Sequence, residues 1–149
     1  MSNSSLTLQL NVEEFCQSAE LPVEHLLEIH RDQIERYGGS LGVRDMGLLE
    51  SAVAMPQSGF GGQYFHTDLY EMAAAYLFHL VKNHAFHDGN KRIAALTAAV
   101  FLQVNGLKVH ADEVEFEELV LNAAQSLRTK EQIADFFRRY TSPVQIKEA

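Results

Sequence analysis

Residues 68–83 constrain the fold of this chain most. Leu69, Met72, Ala73, Tyr76, Leu77 and Leu80 recur at i, i+3, i+4, i+7, i+8 and i+11. That spacing gathers all six on one face of a helix and scatters them over both faces of a strand. A second helical stretch, 90–105, follows after a short polar loop. It packs through Ile93, Leu96, Ala99, Val100 and Val104, its small alanines allow close approach, and Gly106 ends it. Both helices read as largely buried. The loop between them, 84–89, therefore has two rigid supports, which is what positioning chemistry requires.

The rest of the chain also reads as helix. Residues 22–37 place Pro22 in a first turn, space Leu26, Ile29, Ile34 and Tyr37 helically, and stop at Gly38-Gly39. Asp45 caps a short helix through Leu48, Leu49, Ala52 and Val53 that ends before Pro56. The dense glycines Gly59, Gly61 and Gly62, set among Phe60, Tyr64 and Phe65, predict a loop or short hairpin. Residues 107–110 form a brief extended link. Asp112 starts a helix carrying Val114, Phe116, Leu119, Val120, Ala123 and Leu127, with Glu113, Glu115, Glu117 and Glu118 as its solvated face. Thr129 and Gln132 make a capping box for a last helix packed by Ile133, Phe136, Phe137 and Tyr140. The expected fold is all-α, about six helices around a buried central pair. Residues 1–20, where Leu6, Leu8 and Leu10 alternate with polar residues, read as an N-terminal extension. Residues 21–142 form the domain and 143–149 a tail.

With 149 residues, the chain fits one domain. A net charge of −8 argues against general nucleic-acid binding, so no direct nucleic-acid contact is expected. Cys16 is the only cysteine, which fits a reducing compartment. The nearly apolar run 93–102 falls short of the roughly 18 residues that suggest a membrane span. The start of the chain lacks a cationic segment followed by an apolar one, so neither a membrane association nor a secretory signal is expected. A cytoplasmic location follows as the expectation.

Residues 84–92, His-Ala-Phe-His-Asp-Gly-Asn-Lys-Arg, hold the chemistry. Asn90 reads as the N-cap of the second helix, so that free N–H groups point back into the loop. With Gly89 beside it, that terminus is a natural anion site. Lys91 and Arg92 add positive charge where a polyphosphate would sit. Asp88 offers a carboxylate suited to Mg²⁺, which is usually bound through one or two carboxylates and phosphate oxygens. His84 can accept a hydroxyl proton near neutral pH. Base, metal ligand, anion cradle and cations are the parts of phosphate-group transfer. His25 and His30 read as surface or packing residues, and His79 as a core or rim histidine.

This stretch resembles the Fic/Doc (death-on-curing) family signature H-x-F-x-D/E-G-N-K/G-R. Its seven specified positions are filled by His84, Phe86, Asp88, Gly89, Asn90, Lys91 and Arg92. Ala85 stands where many members have proline. Leu48-Leu49-Glu50-Ser51-Ala52, Pro56-Gln57 and Phe60-Gly61-Gly62 are similar to the segments that precede the motif in Doc-type members, and the likeness spans about residues 21–140. The resemblance implies a Fic/Doc helical domain that uses ATP and Mg²⁺. It implies that His84 is the base, Asp88 the metal ligand, and Gly89, Asn90, Lys91 and Arg92 the nucleotide-phosphate site. It further implies a substrate-docking flap at Phe60, Gly61 and Gly62. A Doc-type toxin would act on a protein, the elongation factor that delivers aminoacyl-tRNA, and be restrained by a small antitoxin. No S/T-x-x-x-E-G/N inhibitory motif is present; Thr67 to Glu71 comes close before Met72 breaks it.

Adenylyl-transferring members usually carry G-N-G-R and a second arginine three residues after the first. Here those positions are Lys91 and Ala95. The lysine is shared with Doc-type members and favours γ-phosphoryl transfer over the alternative, adenylylation. Gly89 is the Fic-like residue where the best-known Doc motif has alanine. Two other readings compete. A zinc site from His79, His84, His87 and Asp88 is disfavoured, because His79 and His84 stand at i, i+5 rather than i, i+4. A non-catalytic nucleotide-binding module is disfavoured because every polar motif position is intact.

Overall fold

The computed structural model describes residues 21–60, 63–64 and 68–144. Six α-helices form among them: α1 (Val23–Tyr37), α2 (Met46–Ala54), α3 (Leu69–Asn83), α4 (Asn90–Val104), α5 (Glu113–Ala124) and α6 (Lys130–Arg139). A 3-10 turn at Met55–Gln57 follows α2. Two small antiparallel pairs complete the described chain, β1 (Gly59–Phe60) with β2 (Gln63–Tyr64) and β3 (Leu107–Val109) with β4 (Thr141–Pro143). The all-α expectation holds. The alternating leucines at 6, 8 and 10, Gly61, Gly62 and most of the tail lie outside the described residues.

Local chemistry sets the helix starts. The Asp45 carboxylate accepts from the Leu48 N–H, Asp68 from Glu71, and Asp112 from Val114. Thr129 and Gln132 form the expected reciprocal capping box. Each cap contributes about 1 kcal/mol. Pro22 sits at the N-cap of α1, one position before the helix rather than inside its first turn.

α3 occupies the centre. It packs most broadly on α4 and α6, and also on α2 and α5. Its buried residues include Ala74, Ala75 and Val81, outside the apolar stripe read from the sequence, because neighbours cover it on several sides. Tyr76 is wholly enclosed beside Phe101, and its hydroxyl accepts from the Leu21 N–H at 2.8 Å. That bond offsets the cost of burying a phenol. Ala73, Ala94 and Ala98 are buried between the helices, where short side chains let the backbones approach.

Three expected packing residues prove exposed. Tyr37 is the last residue of α1, Val114 lies in the first turn of α5, and Leu127 lies beyond the end of α5, after Ser126 in a left-handed conformation. Within the extended link 107–110, Leu107–Val109 is a strand paired with Thr141–Pro143. β4 therefore runs through Pro143. Pro143 can end the pair because an edge position needs no further backbone donor.

Candidate active site

The loop 84–89 hangs between the C-terminus of α3 and the N-terminus of α4, and the α1–α2 connection, residues 38–45, lies along it. Val43 bridges to Phe86, the His87 N–H donates to the Gly42 carbonyl, and the Arg44 and Asp45 N–H groups both donate to the Ala85 carbonyl. Ala85 and Phe86 are buried and fasten the loop to the core, while His84, His87 and Asp88 face solvent.

His84 closes α3 in a left-handed conformation, φ 53° and ψ 51°. Such backbone angles are uncommon outside glycine, although asparagine, aspartate and histidine adopt them several-fold more often than other residues. The Arg44 guanidinium donates to the His84 carbonyl through Nε at 2.9 Å and to the Asn83 carbonyl through Nη2 at 3.3 Å. The Asn83 amide in turn donates to the Leu48 carbonyl.

Asp88 is held from three sides. Its Oδ2 accepts from the Ser40 N–H at 3.2 Å and its Oδ1 from the Gly89 N–H at 2.9 Å. These two backbone donors, with Arg92 nearby, hold its carboxyl below the usual carboxylate range. His30 Nε2 donates to the Asp88 carbonyl at 2.8 Å. A carbonyl only accepts, so the bonded nitrogen carries the proton. The His30 ring stacks on Phe86 with centroids 3.9 Å apart. A Cβ on Gly39 would stand 2.7 Å from Asp88 Oδ2, so this glycine makes room for the carboxylate.

Gly89, not Asn90, is the N-cap of α4, at φ 78° and ψ 17°. Asn90 is the first helical residue and is buried. Its side chain spans the loop, Oδ1 accepting from the Phe86 N–H and Nδ2 donating to the Phe86 carbonyl, both at 2.9 Å. The asparagine therefore staples the loop instead of capping the helix, and its amide is already bonded. The first intrahelical bond of α4 runs from the Ile93 N–H to the Gly89 carbonyl. The N–H groups of Asn90, Lys91 and Arg92 thus precede the helical ladder and give this terminus its positive character. Arg92 Nη1 donates to the Gln33 carbonyl at 3.3 Å, and its guanidinium lies 6.0 Å from the Tyr37 ring centroid. Lys91 is exposed.

Asp88, Gly89, Asn90, Lys91 and Arg92 line one cleft of about 620 Å³, which continues between α4 and α5 past Ala95, Ala99 and Phe116. This volume suits a small-molecule ligand. His84 is not among the cleft-lining residues and stands at the other end of the loop. Phe60 pairs with Gln63 in the hairpin expected before the core helix, while Gly61 and Gly62 lie outside the described residues. Among the described residues no three His, Cys, Asp or Glu side chains converge on one point. A divalent ion at Asp88 would need phosphate and water oxygens to complete its shell, as Mg²⁺ commonly does. Exposed carboxylate oxygens, unladdered N–H groups and two cations form a donor set that fits a nucleotide phosphate with Mg²⁺. His79 instead contacts Lys130 Nζ through Nε2.

His30, Arg44, Gly39 and Ser40 were absent from the sequence-derived site. One signal was legible: Leu26, His30 and Ile34 share a helix face, so His30 had to lie inward. Arg44 carried no comparable signal.

The family profile described as "Fic/DOC family" matches residues 20–102, more than half of the chain. The protein named "Protein kinase doc" of Escherichia phage P1 is 36% identical over 116 residues, covering 78% of this chain and 90% of that protein. "Toxin Doc" of Mycolicibacterium smegmatis is 46% identical over 87 residues, covering 58% of this chain and 67% of that protein. The profile match and the similarity to the phage protein, together with the filled signature loop, establish that the chain belongs to the Fic/DOC family.

Proposed function

We propose that this chain is the toxin of a toxin–antitoxin pair and transfers the γ-phosphate of ATP to a hydroxyl of a protein, the elongation factor that delivers aminoacyl-tRNA. The observation that carries the reading is the shared cleft wall: Asp88, the α4 N-terminus, Lys91 and Arg92 stand together, with His84 at the other end of the same short loop. The names of the two relatives, one a kinase and one a toxin, support it. The sequence lacks a complete inhibitory motif of its own, which agrees with restraint by a separate antitoxin.

His84 accepts the proton of the attacking hydroxyl. The hydroxyl oxygen bonds to the γ-phosphorus while the bond from that phosphorus to the bridging oxygen breaks, and ADP leaves. The first N–H groups of α4, Lys91 and Arg92 receive the phosphate oxygens and stabilise the charge that develops there. Asp88 holds Mg²⁺, which when bound neutralises phosphate charge. The β1–β2 hairpin, with Phe60 and the adjoining Gly61 and Gly62, is the docking flap for the protein substrate.

Ala95 lines the cleft where adenylyl-transferring relatives carry a second arginine. A methyl group there offers the distal phosphates no donor, which favours presentation of the γ-phosphate. The test is incubation of the purified chain with elongation factor, Mg²⁺ and ATP labelled on either the α- or the γ-phosphate. Transfer of γ-label with a gain of about 80 Da, one phosphoryl group, is expected. Transfer of α-label with a nucleotide-sized gain would assign adenylylation, and nucleotide binding without transfer would assign a binding module.

A further inference from the structure

We infer that Arg44 is a positioning residue for His84, fixing the backbone of the proposed base by gripping the peptide planes on both sides of its Cα. The inference rests on the reading of His84 as the base. A residue's φ and ψ are set by the orientation of its two flanking peptide units. The Asn83 carbonyl belongs to the unit before His84, and the His84 carbonyl to the unit after it. One guanidinium donates to both, Nη2 to the first at 3.3 Å and Nε to the second at 2.9 Å. The Arg44 main-chain N–H then holds the next carbonyl, that of Ala85, at 2.7 Å. Three consecutive carbonyls are thus bound by one residue, 40 positions away from His84 in the chain.

The grip matters at His84 because its φ of 53° is left-handed, a minority conformation for any residue with a Cβ, even though histidine enters it more readily than most. Carbonyls at the end of α3 also have no helical donor of their own, and a cation is favourable there. Arg44 meets both demands from the surface, with its side chain exposed and outside the core. The rigid fork of arginine presents two donors at a fixed separation, whereas lysine offers a mobile point charge. Charge alone would suit the helix end; only the fork fixes both planes.

The test compares Arg44→Ala and Arg44→Lys with wild type as full chains. The first reading is the intraresidue HN–Hα NOE of His84, which is strong when φ is positive. The second is the rate of γ-label transfer from ATP to elongation factor, per nucleotide-binding site, beside the affinity for ATP. Both variants are expected to weaken the NOE and to lower kcat by roughly 10- to 100-fold, on the scale of a misplaced catalytic group. ATP affinity should stay within about twofold, since Arg44 does not line the phosphate cleft. Arg44→Lys keeps the charge and should fold as wild type even if Arg44→Ala does not. A wild-type NOE and kcat in Arg44→Lys would overturn the inference, leaving only a helix-end charge. A weakened NOE with unchanged kcat would overturn it too. If wild type itself transfers no label, the proposed function fails, while the NOE still decides whether Arg44 sets the His84 backbone.

Discussion

The two ends of the signature loop are built in opposite ways. At the His84 end the backbone is held and the side chain faces solvent. At the Asp88 end the side chain itself is held, by the N–H groups of Ser40 and Gly89, while buried His30 fixes the carbonyl. In the proposed mechanism His84 is a proton acceptor that must meet a substrate that comes and goes, so its ring needs freedom on a fixed pivot. The proposed phosphate and metal cradle at the other end would gain from being formed before its ligand arrives. Positioning is assigned to the main chain at one end and to the functional group at the other.

The largest expected effect lies at the pivot. His84→Gly should abolish transfer, with a loss of about 10²–10⁴ in rate on removal of a general base. The same change should raise stability by up to about 1 kcal/mol, because glycine adopts positive φ without the penalty a side chain incurs. Urea unfolding beside the transfer assay checks both. An active variant would remove His84 from the mechanism, and a destabilised one would deny that its backbone is strained.

Arg92→Ala tests the cradle. Loss of one charge-assisted contact should weaken ATP binding by about 10- to 100-fold, as measured by calorimetry, with folding little changed. Equal binding by variant and wild type would show that the α4 terminus does not receive the phosphates.

Gly39→Ala probes the Asp88 end without replacing a charged residue. Its Cβ would crowd Asp88 Oδ2, and its own φ of +118° disfavours any side chain. A higher Mg²⁺ requirement for transfer is expected, together with a stability loss of about 1 kcal/mol. Half-maximal activity at the wild-type Mg²⁺ concentration would separate Asp88 geometry from metal use. His30→Leu should cost about 1 kcal/mol or more, because the Asp88 carbonyl loses its donor. His30→Gln, which keeps a donor, should recover part of that loss in thermal melts.

The smallest effect concerns pH. The folded Asp88 carboxyl titrates below its unfolded value, so the folded state favours the ionised form. Its contribution is present above the unfolded value, about pH 4, and fades as pH falls through the folded one. The stability difference between wild type and Asp88→Asn should therefore shrink on acidification below about pH 4. A difference that grew instead would contradict the held carboxylate.

The sequence by itself determined the helices, most of their caps and the signature loop between the central pair. These depend on neighbours within one or two turns: the stripe from Leu69 to Leu80, the carboxylates of Asp45, Asp68 and Asp112, the Thr129–Gln132 box, and seven signature residues at fixed spacing. Tertiary structure alone decided what depends on distant partners. Asn90 could serve as a helix cap by its type, yet the approach of Phe86 turned it inward as a loop staple. Leu107–Val109 became a strand only because Thr141–Pro143 came back to it. His30 and Arg44 reached the loop across 58 and 40 residues. Local spacing records the hydrogen bonds a segment can make with itself. Which side chain turns toward a carbonyl on another element is fixed only when the helices pack and water is excluded between them.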